Sequence, residues 1–205
     1  MARDLQSIVK RSRREGYALH PKAHKALVKR SSPPGQHGRT VQRGKATQYS
    51  LQLREKQKVK RLYGLLEKQF AKLMAEASRA KGQSGSKMLE FLERRLDNAV
   101  YRAGLAPSRR AARQLVTHGH FLLNGRRVDV PSIRLSVGDT VSLRAASKTN
   151  DYFKHLDELS PAPSETPQWL KASRQKLEIK VSAVPEREDA EPDIKEQLIV
   201  EYYSR

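Results

Sequence analysis

Arg109, Arg110 and Arg113 share one face of a short helical pattern, opposite Ala111, Ala112, Leu115 and Val116. A guanidinium is planar, permanently charged and rich in donors, so a row of them suits a phosphate backbone. Just before this row, Arg95, Asn98 and Arg102 recur at helical spacing with Arg94 beside them. They could join the same surface, or hold two helices together through Asp97. The run from Arg54 to Arg61 sets five cations in eight residues. On a helix these spread over much of the circumference, with Leu53 and Val59 turned to the core, which suits a helix wedged between RNA strands. Pro33-Pro34-Gly35-Gln36-His37-Gly38 combines glycines, which let backbone N–H groups approach a phosphate, with two side chains that can hydrogen-bond bases or phosphates. His118 and His120 flank Gly119 as donors of the same kind. His20 and His24 stand at i, i+4, a spacing that can grip a metal, but no cysteine and no third well-spaced ligand accompanies them.

The elements that must carry these residues follow from periodicity. A helix ends at Ala103-Gly104, and Pro107-Ser108 opens the next, with Ser108 as N-cap. That helix stops at His118-Gly119, and Phe121-Leu122-Leu123 runs into an Asn124-Gly125 hairpin turn. Strands are expected at 121–123, 126–128, 133–135 and 140–144. Upstream, short helices are expected at Leu5–Arg14 and His20–Val28, and a loop at Ser31–Gly38. A helix over 49–81 is expected to split at Gly64, and another runs from Lys87 to Ala103. Downstream, 145–157 reads as helix and Ser160–Pro167 as loop. Trp169-Leu170 and Leu177–Val184 read as strands, Glu186–Asp193 as an acidic linker, and Leu198–Tyr203 as a short apolar ending. The fold class is α+β, with antiparallel strands and helices packed on them.

Net charge is +19, and it is uneven: +14 over residues 1–61, +9 over 62–156 and −4 over 157–205. A basic front with an acidic tail implies a polyanionic partner, nucleic acid first, met by the first three quarters. Residues 1–48 have too little apolar content for a core of their own and are expected to order fully only on that partner. There is no cysteine, which removes disulfides, thiolate metal sites and cysteine nucleophiles. No secretory signal and no run of ~20 apolar residues is present, so a soluble intracellular protein is expected. Gly82 to Lys87 falls short of a phosphate loop in spacing, and Ser84 with Lys87 lacks the companions of a serine–lysine enzyme. Asp97 and Asp139 have nothing to pair with as acid and base. No enzyme and no cofactor is expected.

The stretch from Arg94 to Arg144 closely resembles the S-four RNA-binding module. Motifs at 12–16, 33–38, 53–59, 95–104 and 196–205 resemble, in order, the bacterial family of small-subunit ribosomal protein four. The resemblance implies a basic arm (1–48), a helical domain (49–93) rejoined by residues 194–205, and an S-four domain with a β extension (94–193). It implies a primary binder of small-subunit ribosomal RNA that nucleates assembly of the five-prime domain. It also implies a place in the cytoplasmic ribosome near the channel by which messenger RNA enters, beside small-subunit proteins three and five, with a role in accuracy and no membrane contact. Many relatives carry four cysteines in the arm that resemble a zinc knuckle; here Val9 and Ser12 stand near the first pair, so no zinc is expected. The expected RNA contacts are Arg11, Arg13, Arg14, Lys22, Gln36, His37 and Arg39 in the arm, and Arg54, Lys56, Lys58 and Arg61 after it. In the module they are Arg94, Arg95, Asn98, Arg102, Ser108, Arg109, Arg110, Arg113, His118, His120, Asn124 and Arg126. Enzymes bearing the same module add a catalytic domain, for which no room is expected here, and stress-related binders lack the equivalent of residues 1–90.

Overall fold

A computed structural model describes residues 6–38, 46–163 and 166–204. These fall into two compact units, one drawn from 1–87 with 193–205 and one from 88–192.

In the first unit, α1 (Ile8–Glu15) and α2 (Pro21–Lys29) pack on each other. Leu5 and Arg39 lie outside the described residues. His20 is the N-cap of α2, its Nδ1 accepting the Lys22 N–H at 3.1 Å, so its lone pair is committed to the helix end and not to a metal. Residues 6–38 of the arm form α1, α2 and the 33–38 loop. Where apolar residues are scarce, polar groups hold it: Ser12 Oγ accepts the Leu19 N–H at 3.2 Å, and the buried Glu15 carboxylate accepts from Arg54 and Arg61 on α3 (Gln48–Leu62). Thr47 caps α3 through the Ser50 N–H. After Gly64 the chain enters α4 (Glu67–Arg79), which buries Phe70, Leu73, Met74 and Ala77 along one stripe. The expected helix from Lys87 to Ala103 is two helices, α5 (Ser84–Glu93), which runs from the first unit's residues into the second's, and α6 (Leu96–Arg102), which belongs to the second. Arg95 is extended instead, bridging to Arg134, while the Arg94 C=O accepts the Leu135 N–H. Residues 198–203 belong to α10 (Glu196–Tyr203), which packs on α3 and buries Ile199.

The second unit holds a five-stranded antiparallel sheet in the order β2-β1-β3-β5-β4. Its strands are β1 (Phe121–Leu123), β2 (Arg126–Val128), β3 (Thr140–Leu143), β4 (Leu170–Ser173) and β5 (Glu178–Val181). Asn124 (φ 49°) and Gly125 (φ 80°) both adopt positive φ, the tight turn their types favour. Residues 133–135 are not a sheet strand. Their backbone satisfies the open N-terminus of α6: Leu96 N–H donates to Ile133 C=O at 2.8 Å and Asp97 N–H to Pro131 C=O at 3.2 Å. The stretch 145–157 is not one helix but a 3-10 turn and two short helices, α8 (Asp151–Lys154) and α9 (Leu156–Leu159), which drop Phe153 and Leu156 into the core. Leu177 belongs to the turn before β5, with φ 54°. Residues 186–193 are structured: Glu186 and Asp189 form a reciprocal capping box on a 3-10 turn, and Ala190 is buried. The core joins Leu96, Val100, Phe121, Leu135, Val141, Trp169 and Ile179 beneath α6 and α7 (Arg109–Thr117).

Candidate nucleic-acid interface

Helices α6 and α7 with their cap residues carry most of the expected module contacts, and the structure divides them sharply. Asp97 sits at the centre of one network. Arg95 grips it in a fork, Nε to Oδ1 at 3.0 Å and Nη2 to Oδ2 at 2.8 Å, and Arg113 Nη1 reaches Oδ2 at 3.0 Å. Glu93, fully buried, centres a second: Asn98 Nδ2 donates at 2.8 Å, and Arg102 donates through Nε at 3.1 Å and Nη2 at 2.9 Å. Arg109 closes the set, donating to Asn98 Oδ1 at 2.9 Å and to Glu191 Oε1 at 3.0 Å, with its guanidinium 4.6 Å from the Tyr101 ring centroid.

This corrects the opening picture of three arginines displayed together. Arg109 and Arg113 lie largely inside the protein, each with a carboxylate partner, and Arg110 is the exposed one. The helical wheel separates polar from apolar faces but not solvent from a second polar layer. Arg95 and Asn98 are buried, and Ser108 is buried as the α7 cap, accepting the Ala111 N–H at 3.2 Å. Asn98 bonded to Arg109, and Asp97 bonded to Arg113, hold α6 to α7, the alternative that Asp97 offered. Arg94 donates to Leu135 C=O at 2.7 Å and Glu90 at 2.9 Å. Asn124 is exposed but occupied: its Nδ2 donates to Asp139 at 2.8 Å and its Oδ1 accepts the Thr140 N–H at 2.9 Å, locking the hairpin to the turn before β3. Arg126 is exposed, as are Arg127 and Arg144, which the sequence reading passed over. A signal for Arg127 existed: a three-residue edge strand can show successive side chains to solvent. His118 is exposed. His120 Nδ1 lies 3.0 Å from Ser147 Oγ, and burial, with help from His118 and Arg144, pushes its imidazole below the ordinary value.

In the first unit, Arg14, Gln36, His37 and Arg54 line one cleft of about 810 Å³ with Tyr49. The 33–38 loop is folded tightly on itself, and a Cβ on Gly38 would stand 2.0 Å from the Pro33 carbonyl oxygen. Arg13 fixes that loop from below, donating to Ser32 C=O at 3.0 Å and Pro33 C=O at 3.1 Å. Arg11 donates to Gln6 at 3.1 Å, and Lys22 is exposed. Lys56 is buried, donating to Glu67 at 2.7 Å with its ammonium 4.4 Å from the Tyr202 ring centroid. Lys58 donates to Asp193 C=O at 2.8 Å and pairs with Glu55 at 2.8 Å. Arg61 and Arg54 share Glu15, whose carboxyl burial pushes above the ordinary value against the pull of Arg54, Arg61 and Arg14. Lys60 reaches Glu67 at 2.7 Å, so each cation of the helical run has a carboxylate partner. Among the described residues, no group of three His, Asp or Glu side chains is placed to hold a metal ion.

The Ribosomal protein S4/S9 N-terminal domain family matches residues 3–93, and the S4 domain family matches residues 94–141. Small ribosomal subunit protein uS4 of Roseiflexus castenholzii is 48% identical over 206 residues, covering the whole of both chains. The proteins of that name from Chloroflexus aurantiacus and Clostridioides difficile are also 48% identical, over 206 and 211 residues, with full coverage.

Proposed function

Because this chain belongs to the uS4 family of small ribosomal subunit proteins, a structural and not an enzymatic family, we propose that it is a primary binder of small-subunit ribosomal RNA that nucleates assembly of the five-prime domain. The observation that carries this is the contrast between buried and exposed cations. Most arginines of α6 and α7 are held by Glu93, Asp97 and Glu191, while Arg110 and Arg126 stand out on that scaffold. A rigid base with displayed guanidiniums suits phosphates held at fixed positions, and A-form RNA offers shape and phosphate more readily than base edges. The arm adds Arg14, Lys22, Gln36 and His37 as exposed groups, and Arg54 at the cleft mouth. Placement in the cytoplasmic ribosome, beside proteins three and five and near the channel by which messenger enters, and a part in accuracy, extend the same reading.

The test is a salt titration of binding to five-prime-domain RNA, with backbone footprinting. The wild-type affinity should fall steeply with salt. Arg110→Ala with Arg126→Ala should lower the magnitude of the log–log slope by about 2, about 1 for each contact. Stability should stay within ~0.5 kcal/mol, as for surface substitutions. A flat wild-type titration, or a double variant with an unchanged slope, would refute this assignment.

A further inference from the structure

The outer face of the five-stranded sheet carries two facing lysines, with one carboxylate, Glu178, a row away. Alternation along the strands turns Leu170, Val141, Ile179 and Val181 into the core, and Lys171, Lys180, Thr140, Ser142 and Ser173 outward. The register sets Lys171 directly opposite Lys180, and Lys180 opposite Thr140, in one row across three strands. Like charges directly opposite on a sheet repel and destabilise it. Both lysines are exposed, and among the described residues neither has an ion pair or a side-chain hydrogen bond. Glu178, one row along between Ser142 and Ser173, pairs with neither of them.

The charge tally hides this face. Residues 157–205 are net acidic, yet their acids concentrate elsewhere. Glu186, Glu188, Asp189 and Glu191 line a separate cleft of about 730 Å³, leaving Glu178 as the acid on the strands beside the two lysines. Strands β4 and β5 also lie beyond residue 141, where the S4 domain match ends. The face is hydroxyl-bearing, and Leu122 is the apolar side chain on its Arg127 row. Protein-binding patches are built around aromatic and apolar cores and are depleted in lysine. Lysines spaced by the ~4.8 Å strand separation, with hydroxyl donors beside them, suit a chain of phosphates.

We propose that this outer face is a second RNA-contact surface, on which Lys171 and Lys180 each meet a phosphate of the ribosomal RNA backbone without reading its bases. The inference rests on the rRNA-binding assignment above and adds a surface to it. The test uses the full chain, five-prime-domain RNA, and Lys171→Ala with Lys180→Ala. The log–log salt slope should lose about 2 in magnitude. Hydroxyl-radical protection should vanish over one contiguous RNA stretch and persist elsewhere. Without RNA, the melting temperature should hold or rise, because the mutual repulsion is gone. The Lys171→Arg, Lys180→Arg pair should keep the wild-type slope and footprint. A steep wild-type slope that the alanine pair leaves intact, with an unchanged footprint, overturns this inference alone; binding of polyglutamate that the same pair abolishes would then give the face to an acidic protein. A lowered melting temperature with protection lost everywhere also overturns it, making the lysines structural. A wild-type chain that shows no salt-dependent RNA binding refutes the broader assignment and this surface with it.

Discussion

Replacing Asp97 by Ala should be among the costliest single changes in the second unit. The carboxylate takes a two-bond fork from Arg95 and a third bond from Arg113, and its side chain is only 6% exposed. Its removal strands the Arg95 guanidinium, itself 7% exposed, among groups that cannot replace water. Breaking one side of a buried ion pair costs about 3–5 kcal/mol, much of it the penalty of the orphaned charge. Domains are stable by only ~5–15 kcal/mol, so at least about a fifth of the margin goes. Arg113 adds less, since at 13% exposure it can swing toward solvent. The assay is urea unfolding followed by tryptophan fluorescence. The chain has one tryptophan, Trp169, 1% exposed in the core of the same unit, so the signal reports that unit and not the helical one. Adding Arg95→Leu to Asp97→Ala should recover much of the loss, because an apolar residue in the same space carries no stranded charge. A shift below ~0.5 kcal/mol for Asp97→Ala, or no recovery in the double variant, would refute the reasoning that the Arg95–Asp97 pair fixes the start of α6.

The acid limb of stability should run through Glu67. Burial pushes its carboxyl up, but hydrogen bonds from Lys56, Lys60 and Tyr203 overcome this and hold it down at about 2, below the ordinary 4.5. A depressed carboxyl contributes stability that is complete above its unfolded value and lost as pH falls through the folded one. Wild type should therefore lose stability relative to Glu67→Gln between about pH 4.5 and 2, read as melting temperature against pH; parallel curves would contradict this. Gly104→Ala should destabilise the second unit by about 1–3 kcal/mol, because Gly104 has φ 72° and an added Cβ would stand 2.4 Å from Pro163 Cδ. A melting curve like that of wild type would show that the neighbouring loop gives way freely.

Local chemistry made much of the fold legible. Asn124-Gly125 placed the β1–β2 hairpin because both positions need positive φ, and Ser108 placed the start of α7 because its side chain caps the helix. What periodicity could not see was partnership at long range. The break at Arg94-Arg95 arises from pairing with residues 134–135, some forty positions away, beyond the reach of local periodicity. The same limit governed the interface. A basic residue reads identically whether it meets solvent, as Arg110 does, or Glu191, as Arg109 does, because the acid comes from a segment that sequence alone marks as a linker. Composition failed for the opposite reason at Lys171 and Lys180: a net charge averages over surfaces that the sheet register separates.

The return of α10 to α3 gives the molecule a particular order of completion. Lys195 N–H donates to Glu55 at 2.9 Å, Tyr203 Oη to Glu67 at 2.9 Å, and Gln52 to Glu201 at 2.8 Å, so residues made late seal contacts with residues made early. Residues 88–192 need no such return, since their unit is continuous in sequence. On a growing chain the inserted unit can close while the unit begun first still lacks a wall. Vectorial synthesis thus inverts the order of the sequence: the first-started body is the last finished, and until then it exposes the seat that Ile199 fills.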